Sequence, residues 1–161
     1  MNAVPLPRAL DPCLGKLGIA AMNSNDLDAV LAMERRIYDF PWTRGNFLDS
    51  LAAGYSSWLM REGGQLLGYA VMMRVLDEAH LLNISIAPER QRAGLGSWLL
   101  QRLFELARGQ GAARMYLEVR RSNVSGREFY LRHGFVQIGE RPDYYPAKNA
   151  REDALVLERS L

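Results

Sequence analysis

Apolar positions along this chain follow one period in the first half and mostly another in the second. Short apolar runs at residues 16–22, 56–62, 65–75 and 78–86 read as strands, each bounded by turn or polar residues. Gly63-Gly64 and Leu76-Asp77 supply tight turns between the last three, which predicts antiparallel hairpins. Helical spacing intervenes where Leu27, Val30, Leu31, Glu34 and Ile37 fall on related faces behind a cap at Ser24 or Asn25. Asp39-Phe40-Pro41-Trp42 breaks that helix, and Thr43 caps a short second one through Phe47, Leu48 and Leu51.

After Pro88 the period changes. Leu95, Trp98, Leu99, Leu103 and Leu106 recur at helical spacing until Gly111. Residues 114–119 read as a strand, 125–133 as a short helix ended by Gly134, and 135–141 and 154–159 as two final strands. The prediction is a single α/β domain: a mixed, mostly antiparallel sheet of six to seven strands, about four helices, and one crossover able to form a parallel βαβ unit. No internal repeat or interdomain linker interrupts it.

Length and composition narrow the classes. At 161 residues, with 48% apolar and 24% charged positions, a domain buries roughly 70% of its unfolded surface and needs no staple. Cys13 has no partner for an internal bridge, and His80 and His133 make no metal-ligand spacing, so no metal is expected. Pro5, Pro7 and Pro12 mark residues 1–15 as a loose leader before a domain at 16–161, and no apolar run suits a signal peptide or a membrane span. The cytoplasm is the expected compartment. The net charge of +2 is unevenly spread: residues 90–132 hold nine arginines against three glutamates. That pattern fits either solvated helix faces or a polyanionic partner, a phosphorylated cofactor or a nucleic acid.

The segment Arg90-Gln91-Arg92-Ala93-Gly94-Leu95-Gly96-Ser97 joins a strand to the long helix. A helix start leaves amides unpaired and carries positive partial charge. Glycines there admit an anion to the backbone, while the bland alternative is a turn needing glycine for geometry alone. A P-loop requires a Lys after its last glycine, and none follows here. A dinucleotide fingerprint fits less well, because Leu99 stands where a third small residue belongs, although Glu118 lies at a suitable distance.

What these residues do resemble is the acetyl-CoA loop of the GNAT superfamily, Gln/Arg-x-x-Gly-x-Gly/Ala, matched by Gln91-Arg92-Ala93-Gly94-Leu95-Gly96. Further stretches are similar to the bacterial ribosomal-protein alanine N-acetyltransferases (RimI type). They are Phe40-Pro41-Trp42, Asp77-Glu78-Ala79, Asn83-Ile84, Leu117-Glu118-Val119-Arg120, Ser122-Asn123, Tyr130-x-x-x-Gly134-Phe135, Tyr144-Tyr145-Pro146 and Arg151-Glu152-Asp153-Ala154. The resemblance spans about 22–157; the leader lies outside it. It implies a GNAT fold with two splayed central parallel strands and acetyl-CoA as cosubstrate. The pantetheine arm would lie along Ile84, Ser85 and Ile86, the diphosphate on Arg92, Ala93, Gly94, Leu95, Gly96 and Ser97, and Asn123 would hydrogen-bond the cofactor. It further implies Glu118 as general base, Tyr130 as general acid, and the N-terminal Ala of small-subunit ribosomal protein eighteen as substrate, in a direct ternary complex.

Acetyl transfer needs a neutral amine, a stabilised oxyanion and a protonated leaving thiolate. An α-amine costs ~3 kcal/mol less to deprotonate at neutral pH than a lysine, from reference pKa values near 8 and 10.4. One carboxylate, acting directly or through water, suffices for such a substrate. From the residues alone, Glu118 reads first as a strand-edge charge paired with Arg120 or Arg121, and Tyr130 as a core aromatic beside Phe129; only the resemblance favours the catalytic roles. Glu78 and His80 are rival bases, or else a surface acid and a satisfied histidine. Arg141, Tyr144 and Tyr145, read as a loop before the last strand, line a peptide entrance or simply pack. Other substrates within the class are other protein N-termini, lysine side chains or a small amine. Outside it stand a nucleic-acid-binding module, which lacks interleaved aromatics, and a non-catalytic CoA sensor on the same fold. No direct nucleic-acid or membrane partner is expected, and the sequence leaves the oligomeric state open.

Overall fold

Among the described residues seven strands form one sheet, in the spatial order Leu17–Ala21, Ser56–Glu62, Gln65–Val75, Glu78–Ile86, Arg114–Arg120, Arg151–Ser160 and Val136–Pro146. The computed structural model describes residues 17–161, so the leader expected at 1–15 lies outside the described residues. The strands are β1 (Leu17–Ala21), β2 (Ser56–Glu62), β3 (Gln65–Val75), β4 (Glu78–Ile86), β5 (Arg114–Arg120), β6 (Val136–Pro146) and β7 (Arg151–Ser160), and the helices are α1 (Leu27–Ile37), α2 (Arg44–Ala52), α3 (Leu95–Gly109) and α4 (Val124–Arg132). Every neighbouring pair is antiparallel except β4 and β5. The expected mixed sheet, the crossover through α3 and the four helices are all present.

Helices cover the sheet on both faces. Leu99, Leu100, Leu103 and Phe104 of α3 pack with Met60, Ala70, Met72, Met115, Leu117 and Leu157 on one side. Leu27, Val30 and Leu31 of α1 and Phe47 of α2 pack with Leu59, Tyr69 and Val71 on the other. A strand covered on both faces needs no polar alternation, which is why residues 67–72 of β3 are all buried and read as a continuous apolar run.

Two features open the middle of the sheet. The parallel pairing of β4 with β5 runs only from Glu78↔Arg114 to Leu81↔Leu117, after which the strands part. At the same point the β3–β4 register steps from Met72↔Leu81 to Val71↔Asn83, so Leu82 is a bulge. The extra residue reverses the parity of β4. Ala79 and Leu81 face α3, whereas Asn83 and Ser85 turn toward α1 and Ile84 and Ile86 take the α3 side.

Some boundaries differ from expectation for identifiable reasons. The cap before α1 is Asn23, not Ser24 or Asn25: it closes a capping box with Asp26 around a short 3₁₀ turn that precedes the helix. Asn123 caps α4, so that helix begins at Val124 and ends at Arg132. The last two strands are longer than 135–141 and 154–159. Pro142 and Asp143 disguise β6 as a loop, but β6 is an edge strand, where a missing N–H is tolerated. A register shift between Arg141 and Tyr145 accommodates the irregularity, with Asp143 at φ 50° donating its N–H to Asp153 Oδ1 at 3.0 Å. Tyr144 and Tyr145 therefore stand in a strand and not in a loop.

Candidate functional site

Where β4 and β5 part, a cleft of about 1370 Å³ opens between them. Its floor runs along Leu81–Ile86 and Leu117–Arg120, one end is the turn before α3, and α4, the 38–42 segment and Tyr145–Lys148 form the walls. Of the residues singled out from the sequence, Ile84, Ser85, Ile86, Arg92, Gly94, Gly96, Ser97, Glu118, Asn123 and Tyr130 all line this one cleft. Ala93 and Leu95 do not line it. The Leu95 side chain is 2% exposed and anchors the turn in the core, so only its amide is available to a ligand.

The α3 turn is built to receive an anion. Arg92 (φ 60°) and Gly94 (φ 81°) adopt left-handed backbone, which curls the chain so that successive amides converge. Gly94 is the N-cap and offers no side chain, and the first turn of α3 holds no acid, so nothing competes for those amides. At Gly96 an added Cβ would lie 3.5 Å from the Phe129 ring and 3.8 Å from Ile86, so a side chain would fill the cradle mouth. Arg92 and Arg132 also line the cleft and form no ion pair among the described residues. These residues fit the pyrophosphate of a CoA-type cosubstrate.

Strand alternation presents β4 to the same space. Ala87 N–H bonds to Leu67 O at 2.8 Å, which by antiparallel alternation ties Ser85 to β3 and points the backbone of Ile84 and Ile86 into the gap. The Ile84 carbonyl accepts Tyr38 O–H at 3.3 Å and the Ile86 carbonyl accepts Gln91 Nε2–H at 3.1 Å, both from the gap side. The Ser85 hydroxyl is committed elsewhere, donating to Asn83 Oδ1 at 2.8 Å. Asn123 is partly committed too: Oδ1 accepts Gly126 N–H at 3.0 Å as the α4 cap, leaving Nδ2 for a ligand.

Glu118 stands on the half-exposed face of β5, between the buried Leu117 and Val119. Its carboxylate pairs with Arg141 at 3.2 Å, and not with Arg120 or Arg121. Those two arginines are bound elsewhere: Arg120 by Glu152, Arg121 by Glu140 and Asp153. Tyr130 packs edge-on to both Phe129 and Phe135 and lines the cleft. Burial, with Tyr38 and Tyr145 nearby, pushes this phenol well above the usual tyrosine value, so it keeps its proton across the neutral range. Glu78 and His80 lie on the paired end of β4, bonded to each other at 3.2 Å, with the imidazole stacked on Tyr116. Neither lines the cleft. Tyr145 lines it, whereas Tyr144 and Arg141 do not.

Sequence reasoning missed two tethers. Arg120 bridges the cleft mouth: its guanidinium lies 5.4 Å from the Phe40 ring and 4.4 Å from the Tyr145 ring, and it donates to Pro146 O at 2.9 Å. Glu34, 1% exposed, receives hydrogen bonds from both sides of the cleft's inner wall. A signal existed for the second, an acid on the apolar stripe of α1; for Arg120 none was visible. Five of the nine arginines in residues 90–132, Arg90, Arg102, Arg114, Arg120 and Arg121, are held in ion pairs. Among the described residues no cluster of His, Cys, Asp and Glu is placed to hold a metal, and no helix is long and apolar enough to cross a membrane.

Residues 27–135 match the model of the Acetyltransferase (GNAT) family, and the chain belongs to that family as a GNAT acetyltransferase. Within it, the chain is similar to the ribosomal protein bS18-alanine N-acetyltransferase of Escherichia coli strain K12, at 35% identity over 139 residues, 86% of this chain and 94% of the relative. The Haemophilus influenzae enzyme of the same name is 34% identical over 140 residues, covering 86% and 95%. The crystal structure of the ribosomal-protein-S18-alanine N-acetyltransferase from Escherichia coli superposes with a TM-score of 0.83 at 34% identity, covering 89% of this chain and 93% of that one. Arabidopsis thaliana Naa50, solved in complex with the bisubstrate analogue CoA-Ac-MVNAL, shares the fold at a TM-score of 0.78 and 18% identity, with 90% and 99% covered.

Proposed function

We propose that this protein transfers the acetyl group of acetyl-CoA to the N-terminal α-amine of a protein, its substrate being the N-terminal alanine of small-subunit ribosomal protein bS18. The observation that carries the reading is the single cleft that joins an amide cradle at one end to a strand carboxylate and a helix phenol at the other. The names of the relatives that align with nearly the whole chain support the choice of substrate.

Each group has a role in a direct ternary complex. The amides from Arg92 to Ser97, Ala93 and Leu95 included, hold the pyrophosphate, and the backbone of Ile84 and Ile86 guides the pantetheine arm as an added strand would. Asn123 reaches the same arm through Nδ2. Acetyl-CoA supplies the thioester, whose C–S bond breaks as the amide C–N bond forms. Glu118 takes the proton that the attacking amine gives up, directly or through one water, and Arg141 orients its carboxylate. Tyr130 provides the proton for the departing sulfur.

The test is incubation of the purified protein with acetyl-CoA and three peptides: one beginning Ala, the same peptide with a blocked N-terminus and an internal Lys, and one beginning Met. The reading expects acetylation of the first, at the α-amine. Preferential modification of the lysine would replace it with a side-chain acetyltransferase.

A further inference from the structure

Five polar or charged side chains are buried among the described residues, and three of them, Glu34, Asn83 and Ser85, belong to one hydrogen-bonded group that the transfer chemistry does not use. We propose that Glu34 is a positioning residue for the acceptor peptide: its carboxylate locks the 38–42 segment onto the bulged strand β4 and so fixes the wall that receives the peptide N-terminus. The proposal rests on the amino-terminal transfer reading above.

The carboxylate has three donors on two different structures. Trp42 N–H, from the segment after α1, reaches Oε1 at 2.9 Å. Tyr69 O–H of β3 and Asn83 Nδ2–H of β4 reach Oε2, the latter at 3.3 Å. Without this carboxylate the donors would be left buried and unpartnered, which costs more than a hydrogen bond contributes net. Trp42 has no ladder to fall back on, because Pro41 precedes it and α2 begins only at Arg44. Its ring packs on Phe47 at 5.1 Å, and Phe47 on Tyr69 at 5.9 Å, so the aromatic stack closes the same clamp.

The other end of the segment is tied into the same group. Tyr38 O–H meets Ser85 Oγ at 2.7 Å, and Ser85 donates to Asn83, which donates to Glu34. Asn83 and Ser85 can face α1 only because the bulge at Leu82 reverses the parity of β4. One irregularity therefore opens the cleft and also supplies the anchor for its far wall. Between the two tied ends, Asp39 and Phe40 line the cleft, and Phe40 meets Arg120 across the mouth.

Steady-state kinetics with an Ala-initiated peptide test this on Glu34→Ala, Glu34→Gln and Tyr69→Phe, with hydrogen exchange measured on the same proteins. Glu34→Ala should raise the peptide KM tenfold or more, with kcat within about threefold and the acetyl-CoA KM unchanged. Glu34→Gln keeps an acceptor for Trp42 and should rescue part of the loss; Tyr69→Phe should shift the peptide KM in the same direction by less. Amides in 38–43 should exchange faster while β5 and α3 keep their protection. If Glu34→Ala does not fold, the other two variants decide. An unchanged peptide KM in both, an acetyl-CoA KM that rises in step, or a fall in kcat alone would overturn the proposal. Should the wild-type protein acetylate no peptide N-terminus, the transfer reading fails by itself, and unaltered exchange at 38–43 in Glu34→Gln would separately overturn the tether.

Discussion

Replacing Tyr130 by Phe removes a proton donor and leaves the edge-on packing against Phe129 and Phe135 in place. General acid catalysis contributes on the order of 10²–10⁴ in rate. Tyr130→Phe should therefore lower kcat by about 100-fold or more on that scale, with CoA affinity unchanged; a kcat near wild type would move the acid elsewhere. Glu118→Gln should lose most activity from mildly acidic to neutral pH, where the amine is chiefly protonated, and less in alkali. An unaltered pH–rate profile would transfer the base role to water. The phenols also predict an alkaline limit to stability. Burial holds the Tyr69 and Tyr130 phenols well above the ordinary tyrosine value. Unfolded tyrosine ionises near pH ~10, so this contribution is intact below that pH and is lost as pH rises through the folded values. Thermal melts should show Tm falling above pH ~10, and Tyr130→Phe should reduce the slope; an equal slope would contradict the burial argument.

At the scale of elements, the cost of altering the cradle is conformational. An added Cβ at Gly94 meets nothing within 4 Å, but the residue sits at φ 81°. Left-handed backbone costs an L-residue roughly 1–2 kcal/mol, so Gly94→Ala should lower stability by about that and weaken CoA binding as the turn relaxes. Calorimetry showing wild-type affinity would mean that the left-handed turn is not needed. The elements themselves were largely legible in the sequence. Gly63-Gly64, Thr43 and the leucine spacing of α3 placed β2, β3, α2 and α3 within a residue or two, because each carries its own local chemistry. The bulge at Leu82 was not legible: two adjacent leucines and the later Ile84 and Ile86 hide a parity change that only the β3 register reveals. The length of β6 was obscured similarly, since Pro142 and Asp143 mark a loop unless the strand is known to lie at the sheet edge.

For the whole molecule, the sequence indicated one cleft built from segments far apart in the chain, and ten of the twelve residues that the resemblance offered for the cofactor and the chemistry line it, whereas Glu78, His80, Arg141 and Tyr144 do not. What it could not supply were relations between distant side chains. Glu118 met Arg141 and not its near neighbours, because β7 lies between β5 and β6 and pairs with both. Five of the nine arginines in the 90–132 stretch pair with acids of β2, β6, β7 and α3, and two of the others, Arg92 and Arg132, line the cleft. Binding to bare RNA at 150 mM salt should accordingly be weak beside CoA binding; tight RNA association with a steep salt slope and no response to acetyl-CoA would revive the nucleic-acid alternative.

The most direct test of the amide cradle is a calorimetric titration of the unmodified protein with CoA and, separately, with 4′-phosphopantetheine, which carries the same arm but a single phosphate. Saturable CoA binding at least tenfold tighter than that of the shorter compound is the predicted result. Equal affinities, or no detectable binding of CoA, would contradict it.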